Sequence, residues 1–245
     1  MKKSLLIAAV FAVAAAVTCG CCHKAPAGTS SESIPEGEFV YNLPCKVVGI
    51  NQDKPGKSIL FLWLHGGVSD VAKHSLFEFN HLDCCAADDS VLNYLTKKGV
   101  KAIALFPVCH QASVEHAVSW YDCYSDVKAI MDAYIDKGYV DTDRIYLAGS
   151  SDGGVGTWDY VEHYPDYFAV AISQSCSRPH PTDVPVYFFN TSSESDATEA
   201  VKELTDQGCP IYYKRCPDVK HGGDAKECTE EFLDKFFSYR RSDRD

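Results

Sequence analysis

No basic stripe crosses this sequence. Lys and Arg number 23 against 34 Asp and Glu, for a formal net charge of −11, and the acidic residues are spread along the chain. A nucleic-acid partner needs a cationic face that can neutralise phosphates, so that class of function is excluded and an acidic, solvated surface is expected. A confident membrane-spanning helix is missing too: the apolar run Leu5–Val17 has 13 residues, against the ~20 a span requires. The cysteines form no paired Cys-x-x-Cys units of the kind that hold structural zinc. No internal repeat and no second zone of composition divides the chain, and nothing reads as a gating domain or propeller.

What stands at the N-terminus instead reads as an export signal. Met1-Lys2-Lys3 is a basic start, Leu5–Val17 has the length of a signal-peptide core, and residues 1–22 are expected to be the signal. Two endings compete. Gly20 precedes Cys21, which makes Cys21 a candidate for lipid attachment at the cell envelope, although the residues before it make a poor lipobox. Ala25-Pro26-Ala27 offers ordinary cleavage before Gly28 and free secretion. Residues 23–37, rich in Ser, Gly, Pro and Glu, read as a flexible tether, and 38–245 as one domain. Of the 12 cysteines, nine lie beyond the signal, at positions 45, 84, 85, 109, 123, 176, 209, 216 and 228. In an exported chain disulfides are the natural expectation, and an odd number leaves at least one outside any intramolecular pair.

The domain alternates strand-like and helix-like segments. Ser58–Leu64 (Ser-Ile-Leu-Phe-Leu-Trp-Leu) is a near-continuous apolar run, as in a strand buried on both faces. Further strands are predicted at 45–50, 100–106, 144–148, 167–173, 184–189 and 210–213. Helices are predicted at 90–98, 125–137, 154–163, 194–207 and 225–239. The alternation predicts an α/β fold with one doubly wound, mostly parallel sheet flanked by helices, and a site beyond the carboxyl ends of its strands.

Gly149-Ser150-Ser151-Asp152-Gly153 is a Gly-x-Ser-x-Gly pentapeptide between the strand at 144–148 and the helix at 154–163. A serine on such a tight turn projects its hydroxyl out of the sheet, so Ser151 is the candidate nucleophile. A serine needs a base, and the base an orienting acid. Three histidines follow Ser151: His163 lies within a helix, His180 precedes the expected acid, and His221 lies in the last strand-to-helix loop, where a base belongs. For the acid, Glu194 and Asp196 both follow the strand at 184–189; Glu194 is favoured by register, Asp196 is the alternative, and Asp183 is more distant. Either carboxylate also suits the start of the next helix. Leu64-His65-Gly66-Gly67 follows the first buried strand, and the amides of Gly67 and Asp152 are the expected oxyanion-hole donors. The Asp152 carboxylate is expected to turn outward, and His65 to be a structural hydrogen-bonding residue. The loops Val68–Asp89 and Cys109–Asp122 are longer than tight connections need, with His110, Trp120 and Tyr121 as pocket or packing residues.

Leu-His-Gly-Gly at 64–67, Asp-Thr-Asp-Arg-Ile-Tyr-Leu-Ala-Gly-Ser-Ser-Asp-Gly-Gly-Val-Gly-Thr-Trp at 141–158 and Tyr-Pro-Asp-Tyr-Phe-Ala at 164–169 together resemble the α/β-hydrolase superfamily. The match is with its secreted esterase branch, which includes polyhydroxybutyrate-depolymerase-like, feruloyl-esterase-like and peptidase-like proteins, and it covers about residues 45–240. The resemblance implies Ser151 as nucleophile, His221 as base and an acid where Glu194 stands. That branch commonly has an aspartate in a Gly-x-x-Asp-like turn; here Thr191 takes the glycine position and Glu194 the acid position. Asp152 replaces the more usual methionine, alanine or glutamine.

The expected function is an exported serine hydrolase that cleaves carboxylic esters (acetyl, feruloyl or similar) on small molecules or polysaccharides. It needs no cofactor and no metal. Its partners are its substrate and, through a lipid at Cys21, a membrane, with no nucleic acid. A small serine peptidase on the same fold and a non-catalytic binding protein on a hydrolase fold are the alternatives.

Overall fold

A computed structural model describes residues 34, 36–67, 91–109, 112–114 and 117–244. The expected signal, Cys21 and residues 23–33 and 35 of the expected tether lie outside them, as do His110 and the whole first long loop Val68–Asp89 with Cys84 and Cys85. Among the described residues no helix is long and apolar enough to cross a membrane.

The main sheet has eight strands. In chain order they are β1 (Gly37–Val40), β2 (Pro44–Ile50), β3 (Ser58–Leu64), β4 (Ala102–Pro107), β7 (Val140–Ser150), β8 (Val170–Gln174), β9 (Val186–Thr191) and β10 (Ile211–Cys216). Two short strands, β5 (Ala112–Val114) and β6 (Ala117–Val118), pair with each other outside it. The spatial order is β1-β2-β4-β3-β7-β8-β9-β10. From β4 to β10 every neighbouring pair is parallel, while β2 runs antiparallel to β4 and β1 to β2. Gly37, the last residue assigned to the tether, opens β1 instead.

Helices α1 (Val91–Lys97), α2 (Trp120–Ile135), α3 (Asp152–His163), α4 (Thr198–Asp206) and α5 (Glu230–Phe236) complete the domain. The two-residue period of the strands divides their side chains between two cores. Leu60, Leu62 and Leu64 of β3 join Trp120, Val127 and Met131 of α2 and Trp158 of α3. Ile59, Phe61 and Trp63 join Leu95 of α1 and Leu233 and Phe236 of α5. All seven positions of β3 are buried, which is why it reads as a near-continuous apolar run after Ser58. Each such side chain removed from water contributes ~1.5–3 kcal/mol.

Several boundaries differ from expectation: β7 begins at Val140 and not 144, β8 at Val170 and not 167, β10 runs on to Cys216, and three helices shift as follows. α2 begins at Trp120, five positions before the predicted start, because Trp120, Cys123 and Val127 extend its buried face by one turn and a half. Trp120 is thus a core residue at 1% exposure, whereas Tyr121 beside it is 53% exposed. α4 begins at Thr198, which leaves Glu194 and Asp196 in the preceding loop. The closing segment is a short 3-10 turn at Gly223–Glu227 followed by α5; Thr229 interrupts a continuous helix by accepting the Phe232 N–H and starting a new one.

Candidate active site

Ser151 links β7 to α3 with φ +58° and ψ −121°. A non-glycine residue there carries ~1–3 kcal/mol of strain, and the surroundings must hold it in place. They do so through backbone. The Ser151 N–H donates to the Gln174 carbonyl of β8 at 2.9 Å, and the Val155 N–H donates to the Ser151 carbonyl at 3.0 Å. A Cβ on Gly149 would strike the Gly153 carbonyl, and one on Gly153 would lie 2.7 Å from the His65 carbonyl oxygen and strike that of Leu64. The glycines flanking the motif therefore let turn, helix and β3 approach each other. Thr157 completes the packing by donating its hydroxyl to the Gly153 carbonyl at 2.9 Å.

The turn after β3 crosses directly over this serine: a Cβ on Gly66 would lie 3.0 Å from Ser151 Cβ and 3.1 Å from the Ser150 carbonyl oxygen. His65 fixes the turn's polarity. Its Nε2 accepts the Cys109 N–H at 3.1 Å, so its proton resides on Nδ1, which donates to the Gly66 carbonyl at 2.7 Å. Burial lowers the His65 pKa below its ordinary 6.5, against the raising influence of the Gly66 carbonyl and Asp152, and keeps the ring neutral. The described peptides are all trans. With the Gly66 carbonyl aimed at His65, the Gly67 N–H points the opposite way. Trp120 Nε1 donates to the His65 carbonyl at 2.9 Å and packs edge-on against the ring at 4.9 Å. Asp152 is the acidic residue of the first turn of α3.

His221 follows β10, and its Nδ1 lies 2.6 Å from Glu194 Oε1. The second Glu194 oxygen accepts the Thr191 N–H at 2.7 Å and the Thr191 hydroxyl at 2.6 Å. Burial opposes ionisation of Glu194, whose side chain is only 7% exposed, but the hydrogen bonds from Thr191 and His221 outweigh it and hold its pKa below the ordinary 4.5. The ionised carboxylate thus accepts the His221 Nδ1 proton and directs Nε2 away from itself. The Thr191 that replaces the glycine supplies two donors to the acid. Asp196 faces elsewhere: its side chain is 63% exposed and accepts the Thr198 N–H and hydroxyl at 2.9 and 2.6 Å, ahead of α4. Asp183 precedes β9 and lines a cleft with Tyr212 and Tyr239 at the other end of the strands. His163 Nδ1 contacts the Asp159 carbonyl, and His180 Nδ1 contacts Glu162.

The serine and histidine loops meet through β8. Ser150 pairs with Gln174 in the sheet. The next residue, Ser175, accepts the Gly222 N–H on its hydroxyl at 2.9 Å. That hydroxyl donates to Asp224 Oδ1 at 2.7 Å, and the Ser175 N–H donates to Oδ2 at 2.8 Å. Asp224 is 1% exposed, and burial raises its pKa despite these bonds. Arg215 ties down the acid's loop by donating to the Glu194 carbonyl at 3.1 Å and to Asn190. Sequence reasoning did not single out Ser175, Asp224 or Arg215. The available signal was weak: an acid three residues after His221 at the start of a helical segment reads as an N-terminal acid. Among the described residues no group of three or more His, Cys, Asp or Glu side chains could hold a metal ion.

A mostly parallel sheet, flanked by helices and bearing a strained serine at a strand-to-helix turn, defines the α/β-hydrolase fold. The chain has that fold, and the solved structures most like it share it. The Prolyl oligopeptidase family matches residues 120–178, which hold α2, the serine turn, α3 and β8. Among solved structures, a thermostable esterase is similar at TM-score 0.61 and 18% identity over 81% of this chain. The chain spans 59% of that esterase's length. The feruloyl esterase module from Clostridium thermocellum, as a mutant complexed with sinapinate, is similar at TM-score 0.58 and 12% identity, covering 84% of this chain and 88% of the module. The AtxE2 isopeptidase is similar at TM-score 0.57 and 12% identity, over 84% of this chain and 40% of its own. No curated protein matches the sequence. The fold is thus one carried by esterases and peptidases alike.

Proposed function

We propose that this protein is an exported serine hydrolase that cleaves carboxylic esters through an acyl-enzyme. Ser151 attacks the acyl carbon, and His221 takes its proton on Nε2 while Glu194 stabilises the resulting imidazolium through Nδ1–H. The amides of Gly67 and Asp152 receive the oxyanion; one such donor contributes ~3 kcal/mol to lowering the barrier. His221 returns the proton to the leaving alcohol, then activates the water that releases the acid. The observation that carries this reading is the coincidence, on one rim of the sheet, of a serine held at φ +58° and a histidine bonded at 2.6 Å to a buried carboxylate. Export rests on residues 1–22, with Cys21 as the point of lipid attachment. Acetyl or feruloyl groups on polysaccharides or small molecules are the proposed substrates; the similarity to a feruloyl esterase module supports that choice.

The second reading is a small serine peptidase, favoured by the match of residues 120–178 to the Prolyl oligopeptidase family. A fluorophosphonate probe tests the shared chemistry. We expect covalent labelling of the full chain and none of Ser151→Ala, with turnover in the variant down ~10⁴-fold or more. An unlabelled wild type, or labelling that survives the substitution, would remove the catalytic assignment. Short p-nitrophenyl acyl esters, methyl ferulate and acetylated xylan, set against aminoacyl amides, then separate the two readings. A preference for the amides overturns the esterase.

A further inference from the structure

Apart from the site, the chain buries an unusual pair of thiols. Cys109 follows β4 and Cys123 lies in the first turn of α2; both are completely buried, and their Sγ atoms are 2.7 Å apart. Other buried cysteines contact polar atoms and not a second sulfur: Cys45 the Lys46 carbonyl, Cys176 the Ser173 hydroxyl, Cys216 the Glu227 carboxylate and Cys228 the Gln174 amide. From this geometry we infer that Cys109 and Cys123 form a disulfide that clamps the start of α2 to the end of β4, beneath the Gly66–Gly67 turn.

The two anchors bear on one residue. The Cys109 N–H donates to His65 Nε2, and Trp120, one helical turn before Cys123, donates to the His65 carbonyl. A covalent link between 109 and 123 fixes the spacing of both donors and hence the turn that passes over Ser151. The reaction is thiol–disulfide exchange. One cysteine thiolate attacks a disulfide-bearing oxidant, a small-molecule or protein disulfide, and expels a thiol. The second cysteine then displaces the other half, so that the Sγ–Sγ bond forms as the oxidant is reduced to two thiols. The Cys109 thiol and burial both raise the Cys123 pKa above its ordinary 9.0, so the folded, reduced pair presents little thiolate. Exchange therefore belongs to folding, before the core closes.

The test uses the full chain, reduced in denaturant and refolded by dilution into glutathione redox buffer. The product is acid-quenched, alkylated under denaturing conditions and mapped by peptide mass spectrometry. The same mapping is applied to protein isolated without reductant from an oxidising compartment, which decides the matter if refolding fails. We expect a peptide linking Cys109 to Cys123, with both sulfurs protected from alkylation. The oxidised form should melt roughly 6–12 °C above the reduced one, as closure of a loop of this size implies. Alkylation of both cysteines in the folded protein, or linkage of either to another cysteine, overturns the pairing. Equal melting points of the two forms overturn the clamp.

Discussion

The serine turn and the histidine–glutamate pair share one rim of the sheet but are held by different means. Ser151 is fixed by backbone. Its N–H is anchored to β8, and glycines at 149 and 153 allow carbonyls to approach where any side chain would collide. The histidine is fixed by polar side chains: Glu194, Ser193, Thr191 and, through Gly222, Ser175 and Asp224. His221 itself is 50% exposed. Steric constraint tolerates no substitution but gives no chemical adjustment. A hydrogen-bonded mount tolerates more and can tune the group it carries.

That contrast can be tested in steps. The largest effect is expected where the polar mount meets the chemistry. Glu194→Gln should lower turnover ~10³–10⁴-fold, because the amide no longer stabilises the imidazolium. Asp196→Asn should leave turnover within ~2-fold; the reverse order in steady-state assays would exchange the two roles. Next comes the steric mount: Gly153→Ala should cost about 3 kcal/mol of stability in denaturant unfolding, since backbone must move to admit the methyl. A smaller loss is expected from the second layer. Asp224→Asn should reduce kcat ~10–100-fold with KM and melting temperature nearly unchanged, as expected of a residue that positions the His221 loop through Ser175. A variant that instead loses melting temperature in proportion to its activity would make Asp224 purely structural.

The smallest effect is acid sensitivity. Glu194 ionises below the ordinary 4.5 in the fold and near that value when unfolded. Its contribution to stability is therefore complete above about pH 4.5 and is lost as the pH falls through the lower folded value. Melting temperatures from pH 7 to pH 3 should fall more steeply for the wild type than for Glu194→Gln below pH 4.5. Parallel curves would contradict the lowered pKa.

The same contrast explains what the sequence made readable. The serine turn is local: strand, glycines and helix follow one another, and the pentapeptide announces them. The buried strands are equally plain, since β3 is apolar from Ile59 to Leu64. The polar mount is non-local, and Glu194 and His221 are 27 residues apart. Chain order put an acid and a base in loops that the fold brings together, but which carboxylate meets His221 depends on a turn in which Thr191 binds Glu194 and Thr198 binds Asp196. Ser175 and Asp224 carry no motif. The loop expected at Cys109–Asp122 hides the start of α2: its buried face begins at Trp120 and Cys123, and a cysteine is a weak signal of an apolar helical position.

The positive φ of Ser151 has a meaning beyond geometry. Glycine would occupy that position with less strain, so this serine holds its place against a standing thermodynamic bias. A lineage that no longer used the hydroxyl would be free to drift toward the relaxed residue, because most of the fold would gain from the change. On the proposed function, use of the hydroxyl is what would keep serine at this position against that bias, and Ser151→Gly should gain stability as it loses turnover.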